Sequence, residues 1–402
     1  MEQISSFPLL ILVIGTTIAA SLILKMQLKR IFIPPLIGYI ILGIILRYAH
    51  TSLGILNGDI FTGFELLADI GIVILLFQVG LNSNVSSLVK QLPRAFKVWF
   101  WNVFVSGVLG FITSYYVLHF SFIPSLFVAT ALTATSVGVT VAIWKEEKIL
   151  KTKNGQLLLD VAELDDISSI ILLALLVAFI PVLHTNSDFP TFASMISAAG
   201  EIILTLLSFG AICIIFSLYL EKPLSKFIRK REKDHELMLI ISGVAFIIAA
   251  SAELLGLSLA IGAFFAGLAF SRDAKAVRET VSYTSLYEFF TPFFFINIGL
   301  DIDASAFSDM LLPGVILLIA AIIGKVAGAG FGALGYTTTS GALMIGVGMV
   351  PRAEIAMIVM QKGLTFGDWA VSPEVFSTMV IVTAGTTIFT PLSVRWLRRR
   401  KS

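Results

Sequence analysis

The stretch QLLLDVAELDDISSIILLALL, residues 156–176, places two adjacent aspartates, Asp165 and Asp166, inside an apolar segment long enough to cross a lipid bilayer. A span needs about 20 mostly apolar residues, and a charged side chain near its middle costs roughly 2.5–3.5 kcal/mol on insertion scales. At ~1.5 Å per residue the pair lies ~15 Å beyond Gln156, near mid-membrane. Neighbours on a helix point about 100° apart. One aspartate can therefore meet a protein partner while the other faces a water-filled cavity.

The composition extends this interpretation to the whole chain. Of 402 residues, 57% are hydrophobic and 13% are charged, about half the charged fraction of a typical soluble domain. The first apolar run has no Lys or Arg before it, which favours a retained helix over a cleaved signal peptide. Successive apolar runs predict an all-α polytopic membrane protein with about thirteen spans, at 8–24, 31–46, 63–81, 97–117, 123–143, 157–183, 198–220, 236–254, 257–271, 284–302, 311–335, 340–363 and 373–394.

The placement of the basic residues tests the number of spans and orients them. Twenty-four of the 28 Lys and Arg residues fall on one side of this scheme, only Arg47 and Lys362 fall on the other, and Lys325 and Arg352 lie inside spans. Cytoplasmic loops are enriched in Lys and Arg. The sequence therefore predicts a multi-pass protein of the inner (plasma) membrane, with the N-terminus outside and the C-terminus in the cytoplasm.

Several function classes lack their usual motifs. The chain contains no GxxxxGK[ST] phosphate loop, HExxH helix or GxSxG elbow, and its four histidines fall at or beyond span ends. Cys213 is the single cysteine, in an apolar run, which indicates simple packing. We therefore expect neither an enzyme nor a cofactor. We expect the basic runs Lys222–Lys233 and Arg395–Lys401 to contact anionic lipid and set orientation, without nucleic-acid binding.

A lone lysine in the eleventh span supplies a partner for one aspartate. PGVILLIAAIIGKVAGAGFGALGY, residues 313–336, carries Lys325 and no acid. A buried ammonium needs a carboxylate. Pairing Lys325 with Asp165 or Asp166 leaves the other carboxylate to bind either a proton or a cation, which is the competition an antiporter requires. A static charge cluster that fixes helix packing is the alternative interpretation.

Two spans are interrupted at corresponding places. Thr133, Thr135, Ser136 and Gly138 interrupt the fifth span, and the twelfth contains Gly346, Gly348 and Pro351. Such interruptions predict broken helices, whose freed carbonyls and half-helix ends can line an ion site. The two spans are seven apart, an odd number, so they cross the bilayer in opposite directions, as an inverted repeat requires.

Four further charged residues lie inside or beside these spans. Arg352 and Glu354 are two residues apart on the twelfth span, so they project from different faces, and we interpret them as structural or gating residues. Glu163 lies one turn to the cytoplasmic side of Asp166, and Asp160 lies further along the same helix. We predict that Glu163, with Asp160, lines an acidic cytoplasmic funnel that concentrates cations.

Four stretches together resemble one family: ATSVGVT at 134–140, the Asp165–Asp166 pair, GKVAGAGFGA at 324–333 and GVGMVPRAE at 346–354. Their order and spacing resemble the NapA-type bacterial sodium/proton antiporters. These form a branch of the cation:proton antiporter superfamily that also holds the glutathione-gated potassium efflux systems. The resemblance covers nearly the whole chain.

The resemblance implies a thirteen-helix fold with inverted repeats and two crossing broken helices. It implies a dimerisation part at about 1–82 and 236–302, a linker helix at about 198–220, and an ion-translocating core at about 97–183 and 311–394. Asp166 would be the main ligand of Na+ and the proton. Asp165 would pair with Lys325, and Thr135 would be an accessory ligand near the crossing.

We therefore expect a homodimeric sodium (or lithium)/proton antiporter that works by elevator-type alternating access. Two aspartates and one lysine fit an electrogenic exchange of two protons per Na+, with Lys325 released as Asp165 protonates. The alternatives are a potassium/proton antiporter, a cation channel that uses the same acids, and a non-transporting membrane sensor. Ion competition would identify a potassium/proton antiporter, and a much higher turnover would identify a channel. A sensor would show no flux.

Overall fold

The structure is a computed structural model of the chain. It describes residues 6–30, 35–53, 58–82, 85–185, 192–221, 223–224, 226, 234–271, 280–302 and 307–399. Every regular element in these ranges is helical. These helices are rich in apolar residues, as expected where lipid is the solvent. In lipid each backbone donor must find its acceptor within the segment, which a helix provides.

The α-helices, numbered in chain order, are α1 (Ser6–Arg30), α2 (Pro35–Leu53), α3 (Gly58–Asn82), α4 (Val85–Ile112), α5 (Phe122–Thr133), α6 (Val137–Glu146), α7 (Lys153–Thr185), α8 (Phe192–Ile215), α9 (Asp234–Leu254), α10 (Leu259–Phe270), α11 (Thr280–Leu300), α12 (Phe307–Ala333), α13 (Thr339–Gly348), α14 (Glu354–Thr365) and α15 (Pro373–Arg399). Two π-helical turns, Thr113–Val117 and Phe216–Leu220, continue α4 and α8.

These helices confirm the predicted all-helical membrane fold. Each predicted span corresponds to one helix, except that the fifth is the pair α5 and α6 and the twelfth is the pair α13 and α14. In the described ranges, seven segments are long and apolar enough to cross a membrane by length and composition alone, including 122–146, which joins α5 and α6. Four shorter apolar helices accompany them. The chain is a multi-pass membrane protein.

Both predicted interruptions have a local cause. The backbone is extended at Ala134 and Ser136, so α5 ends at Thr133 and α6 begins at Val137, after three non-helical residues. Between α13 and α14 lies Pro351, which cannot donate a hydrogen bond and disfavours helical geometry at the residue before it. Both breaks leave carbonyl groups without helical donors.

Part of the charge pattern lies outside the described residues. This applies to most of the run Lys222–Lys233, to Asp303 at the end of the tenth predicted span, and to Arg272, Lys275, Arg278 and Lys401.

The chain forms two compact units. The first comprises Met1–Ala19, Gly54–Val85 and Ala174–Asn297, and the second comprises Ala20–Leu53, Ser86–Leu173 and Ile298–Ser402. The aspartate pair, Lys325 and both broken helices lie in the second unit.

In the first unit, α3 and α10 touch through their backbones at Gly80 and Gly267. A β-carbon on Gly267 would lie 2.8 Å from the Gly80 α-carbon and 2.7 Å from the Leu81 nitrogen. Phe77 and Phe270 pack edge to face beside this crossing, with ring centroids 6.2 Å apart. Small residues allow this approach because lipid supplies no hydrophobic drive between helices and close van der Waals contact must replace it.

In the second unit, the GKVAGAGFGA stretch forms a seam with α4. A β-carbon would meet the backbone of α4 at each of three glycines: Gly324 at Ser106, Gly328 at Trp101 and Asn102, and Gly332 at Val98. The three glycines are four residues apart, so they share one face of α12. Lys325 follows Gly324 in this seam, so it lies at the level of Asn102 and Ser106 along α4.

The Gly80–Gly267 crossing yields a stability prediction. We expect Gly267→Ala to lower the apparent Tm of the detergent-purified protein by several degrees, because overpacking a close contact costs roughly 1–3 kcal/mol. Gly243→Ala on α9 is the matched control, since a β-carbon there meets no atom within 4 Å. Equal Tm values for the two variants in a thermal-shift assay would contradict the close crossing.

Candidate functional site

The two aspartates lie in α7 and are both buried, with 0% of Asp165 and 6% of Asp166 exposed. Their surroundings differ because adjacent residues project from different sides of the helix. Asp165 points into a group of hydrogen-bond donors from three other segments. Asp166 does not.

Asp165 accepts hydrogen bonds at both of its carboxylate oxygens. Oδ2 accepts from Lys325 Nζ at 2.7 Å and from the Thr135 hydroxyl at 2.7 Å. The Asn102 amide Nδ2 lies 2.7 Å from Oδ2 and 2.9 Å from Oδ1. Hydrogen bonds that involve ionised groups are short and roughly twice as strong as neutral ones. Asp165 is therefore fully compensated, by one cation and two neutral donors.

Lys325 is completely buried, and it also uses the break between α5 and α6. Its ammonium donates a short hydrogen bond to the carbonyl of Thr133, the last residue of α5. That carbonyl has no helical donor because the helix stops there. The break thus supplies the second acceptor that a buried ammonium needs. The hydroxyl of Thr133 has a separate partner, because it donates to the carbonyl of Thr130.

The two breaks cross and are joined by hydrogen bonds. The backbone N–H of Ser136 donates to the carbonyl of Pro351 at 2.8 Å, and the Thr140 hydroxyl donates to the carbonyl of Gly348 at 2.7 Å. The Thr135 hydroxyl lies 3.2 Å from the carbonyl of Met349, although its single proton is closer to Asp165. Carbonyl oxygens from α13 are thereby held next to the aspartate pair.

Asp166 makes no hydrogen bond or salt bridge to any residue that the structure describes. Asp165, Glu354, Glu163 and Lys325 are near enough to act on its carboxylate, and three of these four residues are acidic. A buried carboxylate in such a field binds either a proton or a cation. No group of three His, Cys, Asp or Glu side chains suited to a metal forms within the described ranges. A cation at Asp166 would therefore need hydroxyl or carbonyl oxygens as further ligands.

Arg352 and Glu354 bind different neighbours. Arg352 is fully buried, and its Nη1 donates to the carbonyls of Met349 at 3.2 Å and Val350 at 2.8 Å, just beyond the end of α13. A cation at the C-terminal end of a helix offsets the negative end of the helix dipole. Glu354, at the start of α14, accepts a hydrogen bond from the Ser136 hydroxyl at 3.0 Å.

The other predicted residues lie around this centre. Gly348 packs against Trp144 and Leu158, where a β-carbon would come within 3 Å of either side chain. Glu163 and Asp160 are partly buried on α7, on the N-terminal side of the aspartates.

Asn102 on α4 was not predicted from the sequence. It is fully buried and contacts both oxygens of Asp165. The available signal was a lone amide within the aromatic run WFWNVF, residues 99–104. Thr386 on α15 was also missed, and its hydroxyl oxygen accepts the backbone N–H of Arg352 at 3.1 Å.

Comparison with known proteins places this chain among membrane exchangers. The family described as sodium/hydrogen exchanger, transmembrane, matches residues 16–400. The high-affinity Na(+)/H(+) antiporter NhaS3 of Synechocystis sp. is 30% identical over 341 residues, which cover 83% of this chain and 70% of that protein. The Na(+)/H(+)-K(+) antiporter GerN of Bacillus cereus is 29% identical over 399 residues, covering 98% and 97% of the two chains.

A solved structure shows the same fold. The sodium proton antiporter MjNhaP1 of Methanocaldococcus jannaschii aligns with a TM-score of 0.66 at 16% identity, over 97% of this chain and 96% of that one. The family match over nearly the full length agrees with the helical architecture and the crossing broken helices. The chain belongs to the sodium/hydrogen exchanger family.

Proposed function

We propose that this protein is a sodium (or lithium)/proton antiporter in which Asp166 binds the cation and the proton in turn. The observation that carries the proposal is the unequal pairing of the two aspartates. Asp165 has donors at both oxygens, one of them from the Lys325 ammonium at 2.7 Å. Asp166 has no such donor within the described residues, and most of its charged neighbours are negative.

Competition between the two ions follows from this asymmetry. Negative neighbours favour any positive charge at Asp166, and a proton and a bare cation cannot occupy the same carboxylate oxygen at once. Thr135 and the carbonyls exposed at the breaks are the neutral oxygens that would complete the coordination of Na+ in this proposal. Two relatives, NhaS3 and GerN, are named as Na(+)/H(+) antiporters, which supports sodium/proton exchange by this chain.

The transport cycle would be elevator-type alternating access. The helices that carry the site would move against a dimerisation part at about 1–82 and 236–302, linked by the helix at about 198–220. In this proposal the protein is a homodimer of the inner (plasma) membrane, its N-terminus is outside and its C-terminus is cytoplasmic. It is a carrier rather than an enzyme, and it needs no cofactor besides the transported ions.

Potassium is the second candidate substrate. GerN, whose name includes K(+), aligns over nearly its whole length with this chain. Ion competition separates the two assignments, because a potassium exchanger would respond to K+ where a sodium exchanger would not. A cation channel is a weaker alternative, and turnover orders of magnitude above that of a carrier would identify it.

The role of Asp166 can be tested directly. We expect Na+ or Li+ to change the signal of an internal pH dye in proteoliposomes, and Asp166→Asn to abolish that response, because the amide cannot exchange a proton for a cation. Asp368→Asn, a carboxylate between α14 and α15, should leave the response intact. A response to K+ alone would reassign the substrate. A full Na+ response in a correctly folded Asp166→Asn protein would remove Asp166 from the mechanism.

Electrogenic exchange predicts a voltage dependence. Moving one net charge across 100 mV is worth ~2.3 kcal/mol, so an exchange of two protons per Na+ should shift the equilibrium Na+ gradient about 50-fold per 100 mV. The measurement is the Na+ gradient at which proton flux stops in proteoliposomes with an imposed valinomycin/potassium potential. A null point independent of potential would indicate one proton per Na+.

The acidic funnel predicts a change in affinity without loss of exchange. We expect Glu163→Gln to weaken the apparent Na+ affinity several-fold at low ionic strength, because one negative charge near Asp166 is lost. High salt should reduce the difference between Glu163→Gln and the unmodified protein. Unchanged affinity and pH dependence in Glu163→Gln would refute the funnel.

A further inference from the structure

A stripe on α4 combines basic and aromatic side chains on one exposed face. Arg94, Lys97, Trp101 and Phe104 follow one another at intervals of three and four residues, so they lie along one side of the helix. Phe96, Phe100 and Phe104 stack beside them, with successive centroids 6.5 Å and 5.9 Å apart. The three phenylalanines are 45–51% exposed.

The C-terminal end of α12 closes one side of this stripe. Trp101 packs edge to face on Phe331, with centroids 5.1 Å apart. One turn towards the N-terminus of α4, the Lys97 ammonium lies over the Tyr336 ring, 5.8 Å from its centroid. Gly328 and Gly332 bring the two helices into backbone contact beneath these side chains. The result is a shallow aromatic surface with a cation at one end.

The two cations on this surface have no acidic partner in the part of the chain that the structure describes. No carboxylate that the structure describes lies within salt-bridge distance of Arg94 or Lys97. The helix α4 can supply no such partner itself, because the sequence contains no Asp or Glu between Asp69 and Glu146.

Basic residues at the C-terminal end of α15 are paired. Arg395 Nη2 lies 2.9 Å from Glu146 Oε1, and Arg398 Nε lies 3.9 Å from Glu147 Oε2. Arg94 and Lys97 thus differ from Arg395 and Arg398, whose charges are offset by nearby carboxylates.

We propose that this surface, formed by Arg94, Lys97, Phe100, Phe104, Phe331 and Tyr336, is a binding site for an anionic glycerophospholipid. Arg94 and Lys97 bind the phosphodiester and the Tyr336 hydroxyl donates to it. An acyl chain lies along Phe100, Phe104 and Phe331, which are the apolar part of the surface.

The chemistry selects this ligand over the alternatives. A phosphodiester supplies the negative charge that the chain lacks here, and long basic side chains at a span end can extend to the headgroup layer. A free phosphate would leave the stacked rings unused. A zwitterionic lipid such as phosphatidylcholine has the same phosphodiester, but its own ammonium offsets the negative charge and weakens the attraction to both cations.

The test is thermal stabilisation of the detergent-purified protein by added lipid. Long-chain phosphatidylglycerol should raise the apparent Tm, and phosphatidylcholine of the same chains should raise it much less. In Arg94→Gln/Lys97→Gln the phosphatidylglycerol concentration for half-maximal stabilisation should rise about 25-fold, since each basic residue near a membrane surface contributes about fivefold, or ~1 kcal/mol.

Two matched controls keep the test specific. Lys362→Gln removes a similar contact, an ammonium 5.7 Å from the centroid of Phe366, at the opposite end of the predicted spans. Arg398→Gln removes a basic residue that already has a carboxylate partner. Both variants should respond to phosphatidylglycerol as the unmodified protein does.

Lipid chemistry separates the possible ligands. Inorganic phosphate, and phosphatidylglycerol with six-carbon acyl chains, should stabilise the protein far less than long-chain phosphatidylglycerol. Native mass spectrometry should show fewer retained phosphatidylglycerol molecules on the double variant than on the unmodified protein. Equal stabilisation by both long-chain lipids, an unchanged response in the double variant, or full stabilisation by phosphate would each overturn the proposal.

Discussion

The buried ion pair between Asp165 and Lys325 is the interaction on which the second unit depends. Two charges in a low-dielectric interior carry a desolvation cost that their attraction offsets only when further hydrogen bonds satisfy both groups. Two segments supply those bonds, α4 through Asn102 and the α5–α6 break through Thr133 and Thr135, while α7 and α12 carry the pair itself. The pair therefore fixes the relative depth of these segments. It also leaves Asp166, the adjacent carboxylate, with a local excess of negative charge.

The ion pair also requires a helix break, because the Lys325 ammonium needs an acceptor besides Asp165. A buried ammonium has three protons to donate, and one carboxylate cannot accept all of them. An intact helix has no free carbonyl in mid-membrane, since each carbonyl accepts a bond from the next turn. Ending α5 at Thr133 frees one where Lys325 needs it. Pro351 ends the partner helix, and Arg352 then places a positive charge among the carbonyls that α13 leaves behind.

Much of the fold could be predicted because its signals are local. Long apolar runs and the position of Pro351 each depend on a few neighbouring residues. The site was less accessible. The residues alone left open which aspartate pairs with Lys325, because that choice depends on the rotation of α7 against α12. Asn102 escaped notice for a similar reason. A single amide in an aromatic run carries no periodicity, and its role appears only when the glycine seam sets α4 beside Lys325. Thr135 was expected near the ion, and the structure directs its hydroxyl to Asp165.

The hydrogen bond from the Ser136 N–H to the Pro351 carbonyl has a consequence for how such a sequence can diverge. Every residue type has a backbone carbonyl, and every type except proline has the N–H. The bond between the two breaks would therefore survive most replacements at either position. Relatives with little remaining sequence identity can retain this backbone hydrogen bond while the side chains around it are replaced by others with different ion preferences. The architecture is inherited through main-chain atoms, which leaves the neighbouring side chains open to selection for a new substrate.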